Sequence, residues 1–126
     1  MKATYKGMLA FVWVTDMEKA LRFYLDVLGF SRVYENAGWI ELAAPGIKTA
    51  YLALNRWGQR TKPPKNEFVT LRVDDLEAFH VHLIEHGVRM KGGIEEYVDE
   101  GQGMRMFKFY DPDDNILTAS AVENAQ

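Results

Sequence analysis

Two aspartates, each followed by an amphipathic stretch that stops at a glycine, constrain this chain more than anything else in it. Asp16 follows the apolar run Met8–Val14 and opens the stretch that ends at Gly29. Asp75 follows Phe68–Val73 and opens a second stretch that ends at Gly87. An aspartate at this place accepts hydrogen bonds from the free N–H groups of a helix's first turn, and a glycine supplies the left-handed residue that ends the helix. One strand–helix unit is therefore used twice, and the rest of the chain has to complete two copies of it.

Alternation assigns the faces of the first strand. Ala10, Val12 and Val14 are small or β-branched and suit a helix-covered face, whereas Leu9, Phe11 and Trp13 are large and point the other way. After Asp16, the apolar positions Met17, Ala20, Leu21, Tyr24, Val27 and Leu28 fall at helical spacing, with Glu18 favourable in the first turn. Strands are predicted over Ser31–Glu35, Gly38–Ala43 and Lys48–Leu54, separated by turn residues at Asn36-Ala37-Gly38 and Ala44-Pro45-Gly46. The unit reads β-α-β-β-β over about residues 5–57. The polar, proline-bearing stretch 58–65 is expected to link it to a second unit over about 66–122, all within one domain of 126 residues.

In the second unit Val69, Leu71 and Val73 take the helix side, and Phe68, Thr70 and Arg72 the other. The helix after Asp75 is apolar at Leu76, Phe79 and Leu83. Gly92-Gly93 reads as a loop, and the acidic, glycine-bearing segment Glu95–Gly103 is expected to be mobile. Met104–Tyr110 and Ile116–Val122 are predicted to pair across Asp111-Pro112-Asp113-Asp114-Asn115, whose residues tolerate tight-turn backbone angles.

Composition excludes several functions. The net charge is −3, against the clustered cationic surface that nucleic acid requires. Cysteine is absent, which rules out disulfides, thiolate catalysis and cysteine zinc sites and fits a reducing compartment. Met8–Val14 is too short to span a membrane and lacks a cleavage pattern, so no signal peptide is read and the cytoplasm is the expected location.

The ordered set Val14-Thr15-Asp16-Met17-Glu18, Phe23–Phe30 (FYLDVLGF) and Asp111–Asn115 (DPDDN) resembles the vicinal oxygen chelate superfamily. That superfamily includes glyoxalase I, extradiol dioxygenases, fosfomycin-resistance thiol transferases and bleomycin-binding proteins. The resemblance covers roughly residues 8–122, with one departure at Asp114, where relatives usually carry glycine. It implies an α+β fold in which two βαβββ modules form a curved mixed sheet around a cleft, helices on the convex side, commonly as a homodimer. It also implies a divalent metal held by His, Gln or Glu at fixed strand positions. Here those positions carry Leu9, Phe68 and Thr118, with a fourth near Leu52 or Ala53. Leucine, phenylalanine and alanine have no lone pair to offer, and threonine is a poor ligand. No metal and no cofactor are expected.

Strand alternation lines the expected cleft with Leu9, Phe11, Trp13, Trp39, Glu41, Tyr51, Ala53, Phe68, Thr70, Arg72, Met106, Lys108, Thr118 and Ser120. Its aromatic side chains form a platform for a planar ligand, although the same rings would also serve to fill a closed cleft or a dimer interface. Glu41, Arg72 and Lys108 must pair, reach water or meet a ligand. Two cations against one acid favour a ligand with a carboxylate or similar group. His80, His82 and His86 lie on the second helix, His80 as a packing residue and the other two four apart on one face. The glycine pairs lack the context of a phosphate loop, and the aspartates of the DPDDN turn lack the twelve-residue calcium pattern.

The favoured reading is a metal-independent binding protein for a small aromatic or amphipathic molecule, with no catalytic residue. The alternatives are a lyase or dioxygenase using displaced ligands, a metal-free acid/base enzyme using Glu41, Tyr51 or Lys108, and an interaction module without a cleft.

Overall fold

The computed structural model describes residues 2–123, without the side chains of Asp99, Gln102 and Glu123. It divides into two compact units, Met1–Pro64 and Lys65–Gln126. Each is a four-stranded mixed sheet with one helix, an α+β architecture consistent with the two-module reading.

In the first unit, β1 (Met8–Val14), β2 (Ser31–Asn36), β3 (Trp39–Ala43) and β4 (Ala50–Arg56) are ordered β1-β4-β3-β2. β1 runs parallel to β4, and the other pairs are antiparallel. The helix begins as α1 (Met17–Leu21), where the Asp16 carboxylate accepts from the Lys19 N–H at 3.1 Å. It continues through Arg22–Val27 with π-helical bonding. This departs from the regular α-helix that the apolar spacing predicts. The wider π turn puts both Phe23 and Tyr24 into the core, and alternation at α-helical spacing had singled out only Tyr24. At the C-terminal end the Phe30 N–H donates to the Tyr24 carbonyl across Gly29, whose φ is +79°.

The buried face of this sheet carries Val12, Val14, Ile40, Leu42, Leu52 and Leu54, the side on which α1 contacts β4. Each such side chain contributes about 1.5–3 kcal/mol.

In the second unit, β5 (Val69–Arg72), β6 (Met90–Asp99), β7 (Gln102–Tyr110) and β8 (Ile116–Glu123) are ordered β5-β8-β7-β6, with β5 parallel to β8. Asp75 caps α2 (Leu76–Glu85) by accepting from the Ala78 N–H at 3.0 Å. Phe79 of α2 lies 5.9 Å, ring to ring, from Phe107 and from Phe109, and Leu117 and Ala119 are buried.

The reading of Gly92-Gly93 as a loop is corrected by the structure, and Glu95–Gly103, expected to be mobile, forms most of a strand hairpin. Both belong to the β6–β7 ladder, which pairs from Met90↔Phe109 to Asp99↔Gln102. The two glycines sit at a register shift between Lys91 and Glu95, with Gly92 at φ +82°, so they bend a strand instead of ending it. The predicted strand Lys48–Leu54 is also displaced toward Arg56.

The DPDDN turn owes its shape to Asp111. Its buried carboxylate accepts from the Asp113 and Asn115 N–H groups and from the Asn115 side-chain amide, each at 2.9 Å. Asp114 takes φ +65° and is paired with Lys65 and Arg89.

Candidate functional site

The face of each sheet opposite its helix holds the candidate residues, and strand register decides which of them are neighbours. In the first unit Leu9 pairs with Tyr51, Phe11 with Ala53, and Trp13 with Asn55. Trp39 lies across from Asn55, and Glu41 across from Ala53. Direct partners share a face, so Phe11, Trp13, Trp39, Glu41 and Tyr51 come together as alternation predicted.

The rings make direct contact. Phe11 is 5.2 Å from Trp13, nearly edge-on, and 5.8 Å from Trp39. Trp13 in turn meets Trp57 at 5.0 Å and 71°. Trp57 was missed in the sequence because the predicted strand stopped at Leu54. β4 runs on to Arg56, and the odd positions 51, 53 and 55 lead to residue 57 on the same side. The Trp57 indole N–H donates to the Thr61 carbonyl at 2.7 Å, which fixes the ring.

The Trp39 indole and the Tyr51 hydroxyl of this face both find acceptors. The Trp39 indole N–H donates to the Glu41 carboxylate at 2.8 Å, which gives the half-buried charge a partner. The Tyr51 hydroxyl donates to the Lys48 carbonyl at 2.8 Å. Phe11 nonetheless remains 40% exposed, so the cluster presents an apolar surface and is not closed over by its own side chains. The arrangement can stack a planar molecule. It offers no nucleophile with an adjacent base.

The second unit's open face is polar. Thr70 pairs with Thr118, Arg72 with Ser120, Met106 with Ser120, and Lys108 with Thr118. These predicted residues are thereby gathered on one surface, on which Lys91 also stands, directly across from Lys108. Phe68 precedes β5 and is 87% exposed.

An open cleft of about 650 Å³ adjoins this surface through Lys91 and is lined by Lys65, Glu67, Arg89, Met90, Lys91, Tyr110, Asp114 and Ile116. It contains none of the predicted ligand-binding residues. Two of its cations are committed, since Lys65 and Arg89 both bind Asp114, and the Arg89 guanidinium lies 4.1 Å over the Tyr110 ring. These hydrogen bonds, that from Arg89 foremost, hold the Asp114 carboxyl below the usual carboxylate range.

Leu9, Phe68 and Thr118 together offer one hydroxyl and no imidazole or carboxylate, which does not fit a divalent metal. Among the described residues no group of three or more His, Asp or Glu side chains is arranged to hold one elsewhere. On α2, His80 packs against the Phe107 ring at 4.8 Å, and the His82 and His86 rings lie 4.2 Å apart. Nor is any described helix long and apolar enough to cross a membrane.

Known proteins give the fold a lineage. A family model described as the glyoxalase/bleomycin resistance protein/dioxygenase superfamily matches residues 8–118. Among solved structures, a member of that superfamily from Sphaerobacter thermophilus is 27% identical with a TM-score of 0.77, covering 94% of this chain and 98% of its own. TnmS3, an antibiotic-binding protein from Streptomyces sp. CB03234, is 30% identical with a TM-score of 0.75, covering 98% and 100%. A glyoxalase/bleomycin resistance protein from the same Streptomyces is also 30% identical, with a TM-score of 0.68 and coverage of 90% and 97%. No curated protein matches the chain. The family model spans both units and these structures match nearly end to end, so this chain belongs to the glyoxalase/bleomycin resistance protein/dioxygenase superfamily.

Proposed function

We propose that the protein is a metal-independent binder of a small aromatic or amphipathic molecule, working as a homodimer. The observation that carries this reading is the cluster Trp39–Phe11–Trp13–Trp57, whose rings touch one another yet leave Phe11 substantially exposed on the face away from the helix. An aromatic surface left open in this way costs solubility unless something covers it, and a planar ligand is the partner its geometry suits. The loss of metal-ligand chemistry at Leu9, Phe68 and Thr118 removes nothing a binding protein needs. The 30% identity to an antibiotic-binding protein points the same way.

The test is a panel of planar aromatic compounds screened by thermal shift and by quenching of tryptophan fluorescence. At least one should raise the melting temperature and quench the emission, and Trp39→Ala should weaken its binding about tenfold. A panel with no quenching compound would remove the main support for the reading.

A further inference from the structure

We infer that the second unit carries a carboxylate-binding seat on the open face of its own sheet, built on Ser120 with Arg72 and Lys108 around it. The inference concerns this unit alone and does not depend on what stacks against the rings of the first.

Ser120 is the starting point. It lies on β8, inside its sheet between β5 and β7, flanked in register by Arg72 on one side and Met106 on the other. Its side chain is 2% exposed, and its hydroxyl has no hydrogen-bond partner. A buried hydroxyl left in that state is costly, and folded proteins complete it with an ordered water, an ion or a bound group. Thr118, two residues back on the same face, is buried to 7% exposure and has Thr70 and Lys108 as its register neighbours.

The charges around this hydroxyl form a second, independent observation. Lys91 and Lys108 stand directly opposite each other on β6 and β7, a like-charge pairing that destabilises a ladder. Neither lysine, nor Arg72, has an ion pair among the described residues. Glu95, in register with Met106, is the acid of this face whose side chain is described, and it already accepts from the Tyr97 hydroxyl at 2.9 Å. The unit thus gathers three cations and an unsatisfied buried donor on one surface, against Glu95 as the acid whose side chain is described there. A carboxylate would accept from the Ser120 hydroxyl through one oxygen, face the cationic side chains with its charge, and relieve the lysine–lysine repulsion.

A matched pair of probes separates charge from shape. By calorimetry, 2-naphthoate should bind the full-length protein at least about tenfold more tightly than 2-naphthamide, with an affinity that falls as salt rises. Ser120→Ala should weaken naphthoate several-fold, leave naphthamide unchanged, and raise the melting temperature of the unliganded protein, because it removes an unsatisfied donor. The exposed Arg72→Gln should weaken naphthoate without changing the melting temperature. Equal binding of acid and amide, or failure of naphthoate to bind, overturns the seat while leaving the aromatic reading of the first unit intact. A Ser120→Ala variant that lowers the melting temperature and keeps full naphthoate affinity overturns it as well, since the hydroxyl would then be a satisfied structural group.

Discussion

Replacing Phe11 with alanine tests whether its ring belongs to the core or to a binding surface. Phe11 is 40% exposed, and its contacts are the rings of Trp13 at 5.2 Å and Trp39 at 5.8 Å. Full burial of such a side chain contributes about 1.5–3 kcal/mol, so the covered part of Phe11 accounts for about 1–2 kcal/mol. Each of the two aromatic pairs, open to water on one side, adds about 0.5 kcal/mol beyond area, the low end of the usual range. Water can enter the space left behind, so the cavity penalty of a sealed core does not apply. Phe11→Ala should therefore cost about 2–3 kcal/mol in urea unfolding, with an unchanged dependence on denaturant. Its tryptophan emission should shift to the red, because Trp13 and Trp39 lose the ring between them. Any compound that quenches the wild-type emission should bind about tenfold more weakly. A loss of about 4 kcal/mol or more, the range of sealed-core Phe→Ala changes, would make the ring a core element. Unchanged affinity for a quenching compound would refute the stacking argument itself.

Three further outcomes are expected. Untagged protein should hold no stoichiometric Zn, Ni, Fe or Mn by elemental analysis, and one metal per chain, removable by chelator with loss of stability, would contradict this. Light scattering at micromolar concentration should give twice the 14.5 kDa mass of one chain, since Leu9 leaves the edge strand β1 apolar on its open side beyond the rings, and a monomer would defeat the dimer. Asp114→Gly removes two surface ion pairs but frees a strained φ of +65°, so its stability near pH 7 should stay within about 1 kcal/mol of wild type. The folded-state pKa of Asp114 is depressed, so its contribution is present above the unfolded value and vanishes as pH falls through the folded one. The variant should gain on the wild type in thermal unfolding across the carboxylate range, and a pH-independent difference would contradict the pairing.

What was readable in the sequence was local. The caps at Asp16 and Asp75 and the stops at Gly29 and Gly87 act within a few residues, so their pattern survives without tertiary information. Face assignment was equally readable, because alternation along β1 and β3 follows from strand geometry alone and already placed Phe11, Trp13 and Trp39 together. The misses came from partners distant in sequence. Glycines and acids have low strand propensity, and β6 forms despite them because β7 pairs along its length. Trp57 joins the rings through the extension of β4 and a bond to Thr61. That Ser120 lies buried with an unpartnered hydroxyl could not be read from the sequence, because burial is set by the whole surround and alternation gives only the face.

The parallel pairings have a consequence for synthesis on the ribosome. β1 takes β4 as its partner and β5 takes β8, so the opening strand of each unit must wait for the closing one. At ordinary translation speeds of about 5–20 residues per second, the apolar segment Met8–Val14 stays unmatched for a few seconds until Ala50–Arg56 is made. That interval is when the nascent chain is most open to premature association through its first strand. Ala50–Arg56 is made before any strand of the second unit, so the first ladder can close while the second is still being translated. A slow codon cluster within the second unit, once Ala50–Arg56 has left the ribosome, would lengthen the time available for that first closure, whereas one between residues 14 and 50 would prolong the exposure.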